Sequence, residues 1–320
     1  MGPKNKRGFL QISFAWLFGI IVGAFILFLA IYASTKFIDV QETSLDAQTA
    51  KEIGVLLNPL ETGFETGKTS SIMLPSETRI HNRCNNEDFF GKQKIRVSQK
   101  IFGDWTETNI NATFSNKHIF SEGNIEGKEF LVFSKPFEFP FKVADVIYLT
   151  PSYKNYCFVG EVPNKIENEI SNLKQENLFL EDNCPSSSNE EIVRVCFDST
   201  LDCQIDVNYD GKWVDKNDER LFFYSDALMY GAIFSDEETY ECQTKRLIQR
   251  GEQLTELYKD KLHLISRENS ICNTGLDSEL LELENIENSF SESKDFNIQI
   301  INLVDKIDER NKRAQECKLW

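Results

Sequence analysis

The sequence predicts an α+β protein anchored in a membrane. Its order is an N-terminal transmembrane helix extended by an amphipathic segment, a mixed β-rich domain with one β-α-β unit, and a C-terminal antiparallel helical hairpin. Three observations predict this. No charged residue lies between Arg7 and Lys36. Short runs of β-branched and aromatic residues, separated by Gly, Asn and Pro, fill the middle of the chain. Apolar residues then recur at steps of three and four through residues 231–320.

Residues 1–9 form a basic leader and residues 10–35 the transmembrane helix. A helix rises about 1.5 Å per residue, so roughly 20 residues cross a ~30 Å hydrocarbon core, and this run is long enough. Lys4, Lys6 and Arg7 precede it, whereas Asp39 and Glu42 follow Lys36. The positive-inside rule then leaves the N-terminus in the cytoplasm and the C-terminus outside, a single pass of the cell membrane with the lipid bilayer as partner of residues 10–35. A cleaved secretory signal has a shorter apolar region and a small-residue cleavage site, which Ala30–Ser34 imitates poorly. In residues 36–58, Phe37, Val40, Leu45, Ala47, Ala50, Ile53, Leu56 and Leu57 mark an amphipathic helical extension, and Pro59 blocks its continuation.

Residues 59–230 are expected to form the mixed domain. Strands are predicted at Ser71–Leu74, Lys94–Ser98, Glu129–Phe133 and Val146–Thr150. Phe133, Phe137, Phe139 and Phe141 alternate around Pro136 and Pro140, as in an edge strand or an extended crossover, because proline lacks the ladder N–H. A helix over Pro163–Leu180, between strands Tyr156–Val159 and Ile192–Phe197, makes the β-α-β unit. It has no Gly-rich turn to cradle a phosphate.

Residues 231–320 read as helical. Ser235 and Glu238 have the spacing of a capping box. One stripe runs through Leu247, Gly251, Leu254, Tyr258, Leu262 and Ile265. A second uses Leu276, Leu280, Leu283, Ile286 and Phe290; a third uses Phe296, Ile300, Leu303, Ile307 and Ala314. Spacing near 3.5 describes a short antiparallel coiled-coil hairpin with a break at Ser289–Ser293. Such helices complete a core or pair with a partner protein or a second copy.

Charge and cysteines narrow the function. All 51 acidic residues lie after Lys36, against 31 of the 35 basic ones, a formal charge of −20. Nucleic acid needs a basic surface and is not an expected partner. Cys84, Cys157, Cys184, Cys196, Cys203, Cys242, Cys272 and Cys317 all follow the membrane segment; an even number there reads as up to four disulfides of open connectivity. Asn111-Ala112-Thr113 is a glycosylation sequon. No Gly-x-Ser-x-Gly elbow, His-Glu-x-x-His helix or P-loop occurs, and the three histidines are scattered, so no enzyme and no certain cofactor is predicted.

One segment has the look of a metal loop. Asp206, Asn208 and Asp210 alternate before Gly211, as in the first half of a calcium loop, but the twelfth position is Asn217 rather than a bidentate Glu. The same residues also read as a hairpin with a type I′ turn at Asp210-Gly211. The two readings can coexist: in the hairpin Asp206 faces Asp215 across the ladder, where like charges repel, and weakly bound Ca2+, with Asp215 as a further ligand, would relieve them.

Lys6-Arg7-Gly8 followed by Phe9 fits a prepilin peptidase site, and with the long apolar helix it resembles the N-terminus of archaeal and bacterial type IV pilin-like precursors. The resemblance implies cleavage between Gly8 and Phe9. The fifth residue after that cut is Ser13, not the Glu usual in bacterial pilins, and the ectodomain is large for a major pilin. The string Gln11–Phe18, together with the ectodomain cysteines, resembles single-pass membrane proteins of small-genome archaea. Two functions are thus expected: a membrane-anchored, non-enzymatic cell-surface binding or adhesion module, or a pilin-like subunit of a surface filament or secretion machine.

Overall fold

A computed structural model describes residues 16–34, 36, 69–87, 90–101, 103–105, 111–185, 191–198, 203–268 and 275–320. The Gly8–Phe9 junction, the amphipathic segment from Phe37 onward and Cys272 lie outside the described residues. The chain divides into two compact units, Met1–Leu45 and Asp46–Trp320. The first contains helix α1, Trp16–Ser34, whose 19 residues are long and apolar enough to cross a membrane.

The second unit is α+β, built on two sheets. The first sheet contains β1 (Thr69–Asn85), β2 (Lys92–Ile101), β3 (Asp104–Trp105), β4 (Ala112–Phe114), β5 (Ile119–Phe120), β6 (Asn124–Glu138) and β7 (Lys142–Pro151). Their order is β3-β2-β1-β6-β7-β5, with β4 also on β2. Strand residues alternate between faces. Ile80, Ile95, Val97, Phe130, Val132 and Ile147 pack together on one face. Phe133, Phe137, Val146 and Tyr148 belong to the main core. β6 pairs with β1 as far as Phe133 and beyond it, among the described residues, only with β7. Pro136 therefore stands where one side needs no N–H.

The second sheet contains β8 (Lys154–Gly160), β9 (Leu178–Leu180), β10 (Glu191–Phe197), β11 (Ile205–Asn208), β12 (Trp213–Lys216) and β13 (Glu219–Phe222), in the order β13-β12-β11-β10-β8-β9. Helix α2, Asn164–Leu173, links β8 to β9, which runs parallel to β8. The predicted helix to Leu180 thus ends seven residues early. Lys174 turns left-handed at φ 50°, and Leu178 pairs with Tyr156 as a strand. A buried leucine serves either structure, so spacing alone could not tell them apart. α2 buries Ile166, Ile170 and Leu173 in the main core. On the other face Cys157, Val159 and Cys196 form a small cluster stapled by the Cys157–Cys184 and Cys196–Cys203 disulfides.

Helix α3, Asp226–Phe234, was not anticipated. All nine of its residues are buried, and it packs on β6 and β7 of one sheet and on β12 and β13 of the other. A helix apolar on every side has no periodic stripe to betray it, and it must be covered all round. Gly231 is required by that closeness: a Cβ there would lie 2.8 Å from the Phe120 ring.

The C-terminal layer consists of α4 (Glu237–Glu268), α5 (Asp277–Ser289) and α6 (Ile298–Arg313). The capping box expected from Ser235 is displaced by one residue: Asp236 Oδ1 accepts from Thr239 N at 2.8 Å, whereas the Ser235 hydroxyl is buried without a partner. α5 runs antiparallel to α4, bringing Thr255 to Glu287 and Lys259 to Glu284. The break after Ser289 is real; Phe290 is extended, and a short 3-10 turn, Ser293–Asp295, precedes α6. The stripes merge with the sheets in one core reaching from Phe120 to Leu319, so residues 59–230 and 231–320 are not packed separately.

A buried polar chain joins α4 to the first sheet. Arg246 is fully buried and donates to the carbonyls of Phe90, Lys117 and Ser115 and to Gln243 Oε1, at 2.8–3.2 Å. Gln243 donates to Gln93, Gln93 to Asn82, and Asn82 to Ser121 Oγ. Burial lowers the Arg246 pKa to about 10, which still leaves it charged at neutral pH. Every donor has an acceptor, which is what makes such burial tolerable. Cys84–Cys242 locks the same contact covalently.

Candidate binding cleft

Five segments distant in sequence meet at an open cleft of about 510 Å3. β6 contributes Lys135, Pro136 and Glu138; α2 contributes Lys165; the β11–β12 turn contributes Tyr209 and Lys212. The chain entering α3 contributes Tyr224, Ser225, Asp226 and Ala227, and α6 contributes Ile301 and Asp305. The volume lies within the range of small-molecule sites.

Asp226 organises the cleft. As the first residue of α3 it is held by a helix buried along its whole length, and its carboxylate favours the positive end of the helix dipole. Tyr209 donates to its Oδ1 at 2.8 Å, and Lys165 lies 2.5 Å from its Oδ2. Burial alone would raise its pKa; the Lys165 and Tyr209 contacts outweigh that and hold it below the usual carboxylate range. Burial and the bond to Asp226 push the Tyr209 phenol upward, so it stays a protonated donor. Deeper in, Lys135 pairs with Glu169, and Tyr230 reaches the same carboxylate at 3.5 Å.

Lys212 is arranged differently. Its backbone is left-handed at φ 59°, and its ammonium lies 4.1 Å from the centre of the Tyr209 ring and 5.5 Å from that of Phe223. Among the described residues it has no carboxylate partner within ion-pair distance, and burial lowers its pKa. The Ser225 hydroxyl is buried in the cleft wall, also without a partner.

The predicted metal residues lie on the far side of the same hairpin. Asp206 faces Asp215 across β11 and β12, as expected. The turn is not type I′, because Lys212 rather than Asp210 or Gly211 has positive φ. Asn208 is occupied in accepting from Gly211 N, and Asp210 is exposed. Arg220 of β13 grips Asp215 with two 2.8 Å bonds while stacking 3.9 Å over Trp213. Among the described residues, Asp206 falls in a possible metal-ligand cluster only with Cys196 and Cys203, and those two are bonded to each other. Asn111 is exposed just before β4. Cys317 is disulfide-bonded as well.

Of the cleft residues, the sequence points to only two, Pro136 in the expected edge strand and Tyr209, which alternates with Ile205 and Val207 in the hairpin. The lysines come from three unrelated segments, and no spacing links them. Ser225-Asp226 before an uncharged run was the available signal, a helix start at the edge of a buried element. No protein-family model matches this chain, and neither a curated protein nor a solved structure matches it.

Proposed function

We propose that this chain is a membrane-anchored, extracytoplasmic binding module whose ligand occupies the cleft around Asp226 and Lys212. The observation that carries the reading is the cleft itself: an open cavity of about 510 Å3 with fixed polar groups built on a buried helix. Sites positioned by rigid elements bind without first having to order themselves. Among the described residues the cleft is lined by lysines, carboxylates and tyrosine rings, groups suited to recognising a charged small molecule. Helix α1 supplies the anchor, and the basic leader before it orients the remainder outward.

Two measurements test this reading. Protease added to intact cells should digest the C-terminal unit; digestion only after lysis would reverse the orientation. Full-length protein extracted from its native membrane should carry a small molecule visible by native mass spectrometry. Ile301→Trp, which fills the cleft from α6, should lose it.

The pilin-like alternative rests on Lys6-Arg7-Gly8-Phe9. Intact mass decides it, because cleavage after Gly8 removes the basic leader.

A further inference from the structure

We infer that the ligand of this cleft is a small zwitterion of the α-amino acid kind, its carboxylate on Lys212 and its ammonium toward Glu138 and Asp305. The inference rests on the cleft being a binding site and adds the chemical class of what it holds. The three lysines and three carboxylates lining the cleft balance in number, but their pairing is uneven. Lys165 is committed to Asp226 and Lys135 to Glu169. That leaves one cation, Lys212, held over aromatic rings. Asp226 and Asp210 act on this half-buried ammonium only from beyond ion-pair distance, so it loses hydration that an incoming carboxylate in contact would restore.

The opposite pole is acidic. Glu138 and Asp305 line the same cleft, and neither has an ion-pair or hydrogen-bond partner for its side chain among the described residues. A dianion such as phosphate would meet these two charges and Asp226 with only one uncommitted cation. A simple cation would meet Lys212. A molecule carrying one charge of each sign satisfies both poles, and Tyr224 and Ile301 give its carbon skeleton an apolar wall.

Two sources share this chemistry, a free amino acid and the end of a short peptide. The test incubates the full-length protein, in detergent, with an equimolar mixture of the twenty common amino acids and reads retained masses by native mass spectrometry. The expected result is selective retention of one or a few of them. Lys212→Met should weaken the best by about ten-fold or more, as for loss of a charged hydrogen bond, and Lys212→Arg should retain it. Its N-acetyl and amide derivatives and its dipeptides then separate the sources. Weakening by both caps means the free amino acid; tolerance of one cap together with binding of the corresponding dipeptide means a peptide end. Retention of no amino acid, or equal retention by Lys212→Met, overturns the inference. If the native extract instead yields an unrelated molecule that Ile301→Trp loses, the cleft stands as a binding site and this ligand class fails. Because Lys212 lies on a turn, comparing melting temperatures of the Met and Arg variants separates lost folding from lost binding.

Discussion

Single side chains decide several balances here. At the β11–β12 hairpin, Asp206 and Asp215 are placed to repel, and Arg220 supplies the cation that relieves them. Arg220→Ala should lower the melting temperature, and more so at low salt, where exposed charges are least screened. Millimolar calcium should recover part of the loss in that variant and change the wild type far less. Equal calcium shifts in both would show that the ion binds beside the arginine rather than in its place. Gly231 poses a different balance. Alanine would improve helix propensity by about 1 kcal/mol, but its Cβ would press on the buried Phe120 ring at 2.8 Å. Overpacking typically costs about 1–3 kcal/mol, so Gly231→Ala should destabilise by up to about 2 kcal/mol in denaturant unfolding. A gain in stability would mean that Phe120 can move aside.

Helices α4 and α5 meet around a buried acid. Glu287 accepts from Thr255 at 2.7 Å, and its other oxygen lies against Gly251 with no donor. Burial, reinforced by Glu252 and Glu284 and opposed by the Thr255 bond, raises its pKa well above the ordinary carboxylate value. The folded state therefore keeps a proton that the unfolded chain releases above about pH 4.5. The stabilisation is complete below that pH and is lost as pH rises toward the folded pKa. Glu287→Gln, which mimics the protonated carboxyl, should gain in stability relative to the wild type as pH increases; a constant difference would mean that the carboxyl titrates normally. This helix pair was legible because charged residues separate its stripes. The register of Asp206 against Asp215 was legible too, since alternating Ile205, Val207 and Tyr209 allow one face only. α3 was not, because uniform apolarity has no phase, and β9 was not, because three apolar residues after a left-handed Lys174 look like another helical turn. The cleft was the least legible feature: it exists only where α3 holds the hairpin, β6 and α6 together.

At the scale of the whole unit, the disulfides differ in what they restrain. Cys84–Cys242 spans 158 residues and Cys196–Cys203 spans 7. Chain-entropy arguments make the first worth about 5 kcal/mol and the second about 2.5. Replacing Cys84 and Cys242 with serine should thus lower stability roughly twice as much as replacing Cys196 and Cys203; the reverse order would show that the small cluster on the second sheet depends on its staple. The long bridge lies beside the polar chain from Asn82 through Gln93 and Gln243 to Arg246, and the two together have a consequence in time. A ribosome delivers β1 and β2 long before α4. Until residue 246 emerges, the carbonyls of Phe90, Ser115 and Lys117 lack Arg246, Gln93 lacks Gln243, and Cys84 lacks its native partner Cys242. Nascent chains that stop before α4 should therefore remain protease-sensitive and open to wrong cysteine pairs, while those carrying α4 should become resistant. The first sheet is among the earliest parts of this unit to be made and among the last that can be finished.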